Sequence, residues 1–184
     1  MFLGISILIG IIIALVRGGK WANLATFRFS NSWLVFLSIG LQLLIFNSFW
    51  DKHVTSLGIN NLLYVLSIFL LVFFLFINKG ILSLRVLGLG VVLNSIAIIA
   101  NGGYMPSSIE ALKKVLTPER INTLQSGSAS YNVVLISDQT KFKFLCDIFY
   151  VPHINVYSLG DILIAVGAFF TIQQMMLRQS SKNN

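Results

Sequence analysis

The sequence predicts an all-α membrane protein: a bundle of five transmembrane helices with an extracytoplasmic cap segment of short helices. Three observations carry that expectation. Of the 184 residues, 56% are apolar and only 10% charged, whereas a soluble domain carries roughly 25% charged residues. Mean hydropathy is +0.84, so the apolar surface exceeds what one soluble core can hide and the surplus must face lipid. The apolar residues also fall into five continuous runs, not alternating ones, which selects helices over barrel strands.

The first run, 2–16, is closed by Arg17-Gly18-Gly19-Lys20. It is short for a span of about 20 residues, but snorkelling flanks or a thinned bilayer bring it within reach. No basic residue precedes it and no small-residue cleavage site follows, so a retained helix is expected and not a removed signal peptide. A polar stretch follows through Asn31. The second run, 33–50, has Trp33 and Trp50 at its ends, where interfacial anchors belong. The third, 62–77, ends in a tight Asn78-Lys79-Gly80 turn. The fourth begins at Ile81 or Val86 and reaches Ala100, with Arg85 placed to snorkel. The fifth, 159–177, is closed by Arg178 and a polar tail.

Charge gives the bundle a direction. If the runs alternate, segments 17–32, 78–85 and 178–184 share one side and hold seven basic residues and no acidic one. The opposite side holds Lys52, Lys113, Lys114, Arg120, Lys141 and Lys143 against Asp51, Glu110, Glu119, Asp138, Asp147 and Asp161. The positive-inside rule then puts the N-terminus outside and the C-terminus in the cytoplasm. Orientation accounts for the whole net charge of +7, so no nucleic-acid partner is expected. The lipid bilayer is the expected surrounding, and a small-molecule or lipid ligand and a membrane-protein partner are open.

The outer loop, 101–157, is the segment with room for soluble structure. It opens Asn101-Gly102-Gly103-Tyr104-Met105-Pro106, where glycines permit positive φ and proline bars helix continuation. Ser107-x-x-Glu110 reads as a capping box before an amphipathic helix over 109–116, its apolar side made by Ile109, Leu112 and Leu116. Thr117-Pro118-Glu119 starts a second short helix by the N1-proline pattern. Residues 125–130 read as a flexible Ser/Gly stretch, and 131–136 as a short strand or a buried extended piece.

Polar residues inside apolar runs are costly unless they face the bundle. Gln42 and Asn94 lie at similar depth, roughly 12 and roughly 10 Å below the outer surface at about 1.5 Å rise per residue. An interhelical bond joining the second and fourth runs is one reading; a polar floor to an outward-facing pocket is the other. Ser158-Leu159-Gly160-Asp161 is itself a capping box, and an anion there suits the helix dipole. A cap does not exclude a proton- or cation-binding role. His53, His153, Cys146 and Asp147 share the outer side, but two distant histidines are too few for a metal and no third group orients a Cys/His pair. No P-loop, dinucleotide or zinc-protease motif occurs, so neither cofactor nor metal is expected.

Arg17-Gly18-Gly19, Leu41-Gln42, Asn94 with the Asn101-Gly102-Gly103-x-Met105-Pro106 turn, and Ser158-Leu159-Gly160-Asp161 together resemble an uncharacterised family of small bacterial multi-pass membrane proteins, a domain of unknown function. The likeness covers nearly the whole chain. It implies a single membrane domain in a bacterial cell membrane and brings no activity or catalytic residue. Tyr104 stands where such proteins often carry a basic residue, so no cation is expected there.

The leading expectation is a membrane-embedded binding or transport-associated protein. Its outer pocket would be bounded by Gln42, Asn94, Asn101, Gly102, Gly103, Met105 and Asp161 and would take a small or lipid-like ligand. The alternative is an accessory subunit of a larger membrane complex. Third comes an outer-face hydrolase or transferase using Asp147, His153 or Asp161, which requires those side chains to converge.

Overall fold

The computed structural model describes residues 2–45, 57–78, 80–125, 133–152 and 154–178. The chain is mostly helical, with eight helices among these residues. In chain order they are α1 (Phe2–Val16), α2 (Trp21–Thr26), α3 (Trp33–Ile45), α4 (Leu57–Ile77), α5 (Leu82–Ala100), α6 (Ile109–Leu112), α7 (Pro118–Gln125) and α8 (Leu159–Leu177). Each of the five apolar runs forms a helix. The second is described to Ile45, and its expected end at Trp50 lies outside the described residues.

Helices α5 and α8 pack together most extensively, with α1 on the other flank of α8; α3 and α4 form a second pair, joined to the first through α4 and α5. Small residues make the α5–α8 approach close. A Cβ at Gly160 would collide with the Asn94 side chain and lie 2.6 Å from the Gly90 carbonyl oxygen, so only glycine fits there. Leu34 of α3, Phe74 and Leu75 of α4 and Leu84 of α5 form a buried apolar cluster where the two pairs meet. The opposite faces are left apolar and uncovered: Phe36 is 74% exposed and Phe76 64%. Helices α5 and α8 are long and apolar enough to cross a membrane; Leu3–Val16, Trp33–Ile45 and Leu62–Ile77 are shorter apolar helical segments.

Three boundaries differ from the sequence reading. The stretch after Lys20 through Asn31, read as polar, contains α2, whose neighbourhood caps the C-terminus of α8: Asn23 Nδ2 donates to the carbonyls of Met176 and Arg178 at 2.8 and 2.7 Å. Those last-turn carbonyls have no partner within their own helix. Helix α4 starts at Leu57, not Leu62, because the polar Asn60 and Asn61 do not interrupt its backbone ladder. Helix α5 starts at Leu82, with extended Ile81 as its N-cap residue.

The segment between α5 and α8 is not made of short helices alone. Strand β1 (Met105–Ser107) pairs in parallel with β2 (Val133–Leu135), and β3 (Phe149–Val151) pairs antiparallel with β4 (Asn155–Tyr157). The strand expected over 131–136 is thus present as 133–135, and Tyr131 and Asn132 lie outside the described residues, as does 126–130 of the Ser/Gly stretch. The α6 cap is shifted by one residue. Ser108, not Ser107, accepts from the Ala111 N–H, because Ser107 is fully buried and held within the β1 pairing. Helix α6 proper is one turn, Ile109–Leu112, continued by turns through Val115. Ala111, Leu112 and Ile121 bury against Val156 beneath this cap. The Thr117-Pro118-Glu119 start of α7 is present, and hydrogen bonds from Glu119's own backbone N–H and then the Thr117 hydroxyl hold its carboxyl below the usual range.

Candidate functional site

The polar centre of the molecule forms where α8 begins. Ser158 Oγ accepts from the Asp161 N–H at 3.0 Å, and Asp161 Oδ2 accepts from the Ser158 N–H at 3.1 Å. This is the capping box read from the sequence, and it satisfies two N–H groups that a helix start otherwise leaves unpaired. The remaining oxygen, Asp161 Oδ1, accepts from Asn94 Nδ2 at 2.8 Å, and Ser158 Oγ donates to Asn94 Oδ1 at 2.6 Å. A closed ring of side-chain bonds therefore links α5 to the first turn of α8. The absence of a side chain at Gly160 is what lets Asn94 reach it.

A second carboxyl enters from the cap. Asp147 follows a 3₁₀ turn at Lys143–Leu145 and runs beside β1 in a parallel bridge to Ser107. Its N–H donates to the Pro106 carbonyl at 3.0 Å, and its own carbonyl accepts from the Ser108 N–H at 2.9 Å. These bonds fix the backbone that carries the side chain. Ser107 Oγ donates to Asp147 Oδ2 at 3.2 Å, while Oδ1 is buried and has no hydrogen-bond partner among the described residues. Burial, and next the negative charge of Asp161, push the Asp147 carboxyl up to about 7, against a smaller downward pull from the Ser107 hydroxyl. Buried Tyr157 closes the same region, its phenol raised by burial and then by Asp161.

The turn after α5 holds this cap in place. Gly102 and Gly103 adopt φ of 73° and 91°, which side-chain-bearing residues rarely take. Asn101 then clamps the incoming chain: its Nδ2 donates to the Lys141 carbonyl at 3.0 Å and its Oδ1 accepts from the Lys141 N–H at 2.9 Å. Phe142, the next residue, sits at φ 51°, a left-handed conformation held by these flanking bonds. Met105 is half-buried in β1, one residue before the carbonyl that holds Asp147.

Of the residues singled out from the sequence, Asn94 and Asp161 are bonded directly. Asn101, Gly102, Gly103 and Met105 position the segment that carries Asp147. Gln42 goes elsewhere: its Nε2 donates to Ser67 Oγ on α4 at 3.2 Å, so the expected amide bond between the second and fourth runs is replaced by two separate networks. Counting residues along a helix carries no information on which way a side chain faces. Asp147 enters the sequence reading only through the third, enzymatic expectation and not among the residues bounding the outer pocket. The available signal was an acid set in the apolar run Phe144-Leu145-Cys146-Asp147-Ile148-Phe149, where solvation alone would not place one.

Cys146 is buried, and its thiol is pushed up by burial and then by Asp147. It donates to the Lys141 and Phe142 carbonyls, a packing role and not that of a thiolate. His53 and His153 lie outside the described residues. Asp138 is on the surface with Lys143 at 3.9 Å, and Glu110 and Glu119 are exposed. Among the described residues no three His, Cys, Asp or Glu side chains converge as a metal would need. What the site does bring within electrostatic reach of each other is two carboxyl groups in different environments, Asp147 buried in the cap and Asp161 in the helix cap of α8.

Neither a curated protein nor a solved structure matches the chain. A family model does, over residues 26–173, a stretch that takes in both carboxyls, Asn94 and the whole cap. The chain belongs to the family of unknown function DUF5317.

Proposed function

We propose that this protein is a membrane-embedded hydrolase that cleaves an amide bond at the outer face of the bilayer, with Asp147 as general acid and Asp161 as general base. The observation that carries the reading is the Asp147 carboxyl: buried, with one oxygen unpartnered, and raised to about 7 partly by the charge of Asp161. Near neutral pH Asp147 then keeps its proton in a substantial fraction of molecules, which is the working state of a general acid. In that reading Asp161 takes a proton from water as the water oxygen attacks the carbonyl carbon. Asp147 gives its proton to the carbonyl oxygen. Collapse of the tetrahedral adduct breaks the C–N bond and returns a proton to the leaving nitrogen, so one water is consumed and an acid and an amine are formed. Asn94 positions Asp161 and does not itself react.

The membrane setting is part of the proposal. Five spans, with the N-terminus outside and the C-terminus in the cytoplasm, are supported by the five apolar helices, their exposed apolar faces and the one-sided basic charge. The cap adds exposed Phe144, Phe149 and Tyr150 around Asp147, side chains suited to the headgroup layer. A binding or transport-associated role at Asn94, Asn101 to Met105 and Asp161 is the second reading, favoured by the two-way Asn101–Lys141 clamp that ties the cap to the end of α5.

The hydrolase reading is tested by titrating the protein with an apolar peptide whose central amide is replaced by a hydroxyethylene unit, a mimic of the tetrahedral adduct. A rise in melting temperature that is lost in both D147N and D161N is expected. No rise in the wild type, or an equal rise in D147N, overturns it.

A further inference from the structure

The other end of the bundle holds a second feature, a cavity of about 570 Å³ lined by Phe27, Ile81, Gln174, Leu177 and Arg178. It lies at the start of α5 and the end of α8, a full helix length from Asp161. Arg178 stacks over the Phe27 ring at 5.5 Å, and Ser83 Oγ donates to Gln174 Oε1 at 3.2 Å, which occupies the amide oxygen and leaves its N–H groups as donors. A helix C-terminus ordinarily repels anions through its free carbonyls. Here Met176 and Arg178 carbonyls accept from Asn23 Nδ2, and Met176 also from the Lys20 N–H at 3.1 Å. The flanking segments 17–32, 78–85 and 178–184 contain no acidic residue.

We infer that this cavity seats the headgroup of an anionic phospholipid, with Arg178 and the Gln174 amide on the phosphate diester and Phe27, Ile81 and Leu177 against the glycerol and upper acyl carbons. A cationic and amide rim on an apolar floor matches that chemistry and no part of it is needed for the outer carboxyl pair. The inference rests on the membrane half of the proposed function and is independent of the hydrolase half.

The test uses the full-length protein in micelles, titrated with phosphatidylglycerol, phosphatidylcholine or inorganic phosphate and read by thermal shift and by lipid retained in native mass spectrometry. Phosphatidylglycerol is expected to bind about fivefold more tightly than phosphatidylcholine, the preference one basic residue near the membrane surface supplies. Inorganic phosphate alone should give no shift. R178Q should remove the preference and K113Q, at the opposite end, should keep it; Q174E, which sets a negative charge at an exposed position on the same rim, should also remove it and stands in should R178Q not fold. Equal retention of the two lipids, a preference that survives both cavity variants, or a shift with phosphate alone overturns the inference. Protein that fails to float with vesicles removes the membrane reading and this inference together; protein that floats but shows no preference removes this inference only.

Discussion

Asn94 on α5 donates to Asp161 Oδ1 on α8 at 2.8 Å and accepts from Ser158, so one amide satisfies the helix cap and fixes the carboxylate that carries it. Replacing it by leucine strips a partner from both. Asn94→Leu is expected to lower stability by about 1–3 kcal/mol, the cost of stranding half-buried polar groups, measured by thermal unfolding in detergent. If Asn94 only holds helices together, stability alone changes. The proposed role adds a loss of activity in the folded fraction.

Asp147 ties stability to pH. Its folded value near 7 lies above the usual carboxyl value of 3.8, so between those values the folded protein holds a proton that the unfolded chain has released. Its contribution is therefore fully present below about pH 4 and is lost as pH rises through about 7. Asp147→Asn should flatten that slope and be the more stable protein at pH 8 by an amount on the order of a few kcal/mol. Melting temperatures of both proteins from pH 5 to 8 check the sign.

The same titration limits catalysis. A general acid must be protonated, so the rate should fall as pH rises above about 7, with the basic limb missing in any residual activity of D147N. A rate that climbs steadily to pH 9 would assign Asp147 a different role.

Gln42 separates the two extents of the site. It bonds Ser67 on α4, away from the carboxyl pair. Gln42→Leu is expected to cost on the order of 1 kcal/mol in α3–α4 association and to leave binding and activity unchanged. Loss of ligand binding in that variant would restore the larger pocket that the sequence predicts.

Gly160 sets the spacing. Gly160→Ala places a methyl group on the Asn94 side chain and the Gly90 carbonyl, and an overpacked helix contact of this kind costs about 1–3 kcal/mol. Because the clash falls on Asn94 itself, activity should drop further than stability at temperatures where the variant remains folded.

What the sequence made legible was local. Continuous apolar runs gave the helices, and Ser158 with Asp161 gave a cap whose two bonds lie within four residues of chain. The meeting of Asn94 with Ser158, and of Ser107 with Asp147, spans 64 and 40 residues and depends on how α5, α8 and the cap fold together. The one-residue shift of the α6 cap has the same origin, since Ser107 and Ser108 are equivalent as caps until strand pairing claims the first. Gln42 shows the limit most plainly. Depth along a helix follows from counting, but its bearing around the axis is decided by α4.

The most direct test of the carboxyl pair is hydrolysis of a quenched-fluorescent library of apolar peptides by the protein in lipid nanodiscs, with D147N and D161N run beside the wild type. Cleavage by the wild type and a loss of about a hundredfold or more in each folded variant are the expected results. Undiminished cleavage in either variant, or no cleavage by the wild type, would contradict the account.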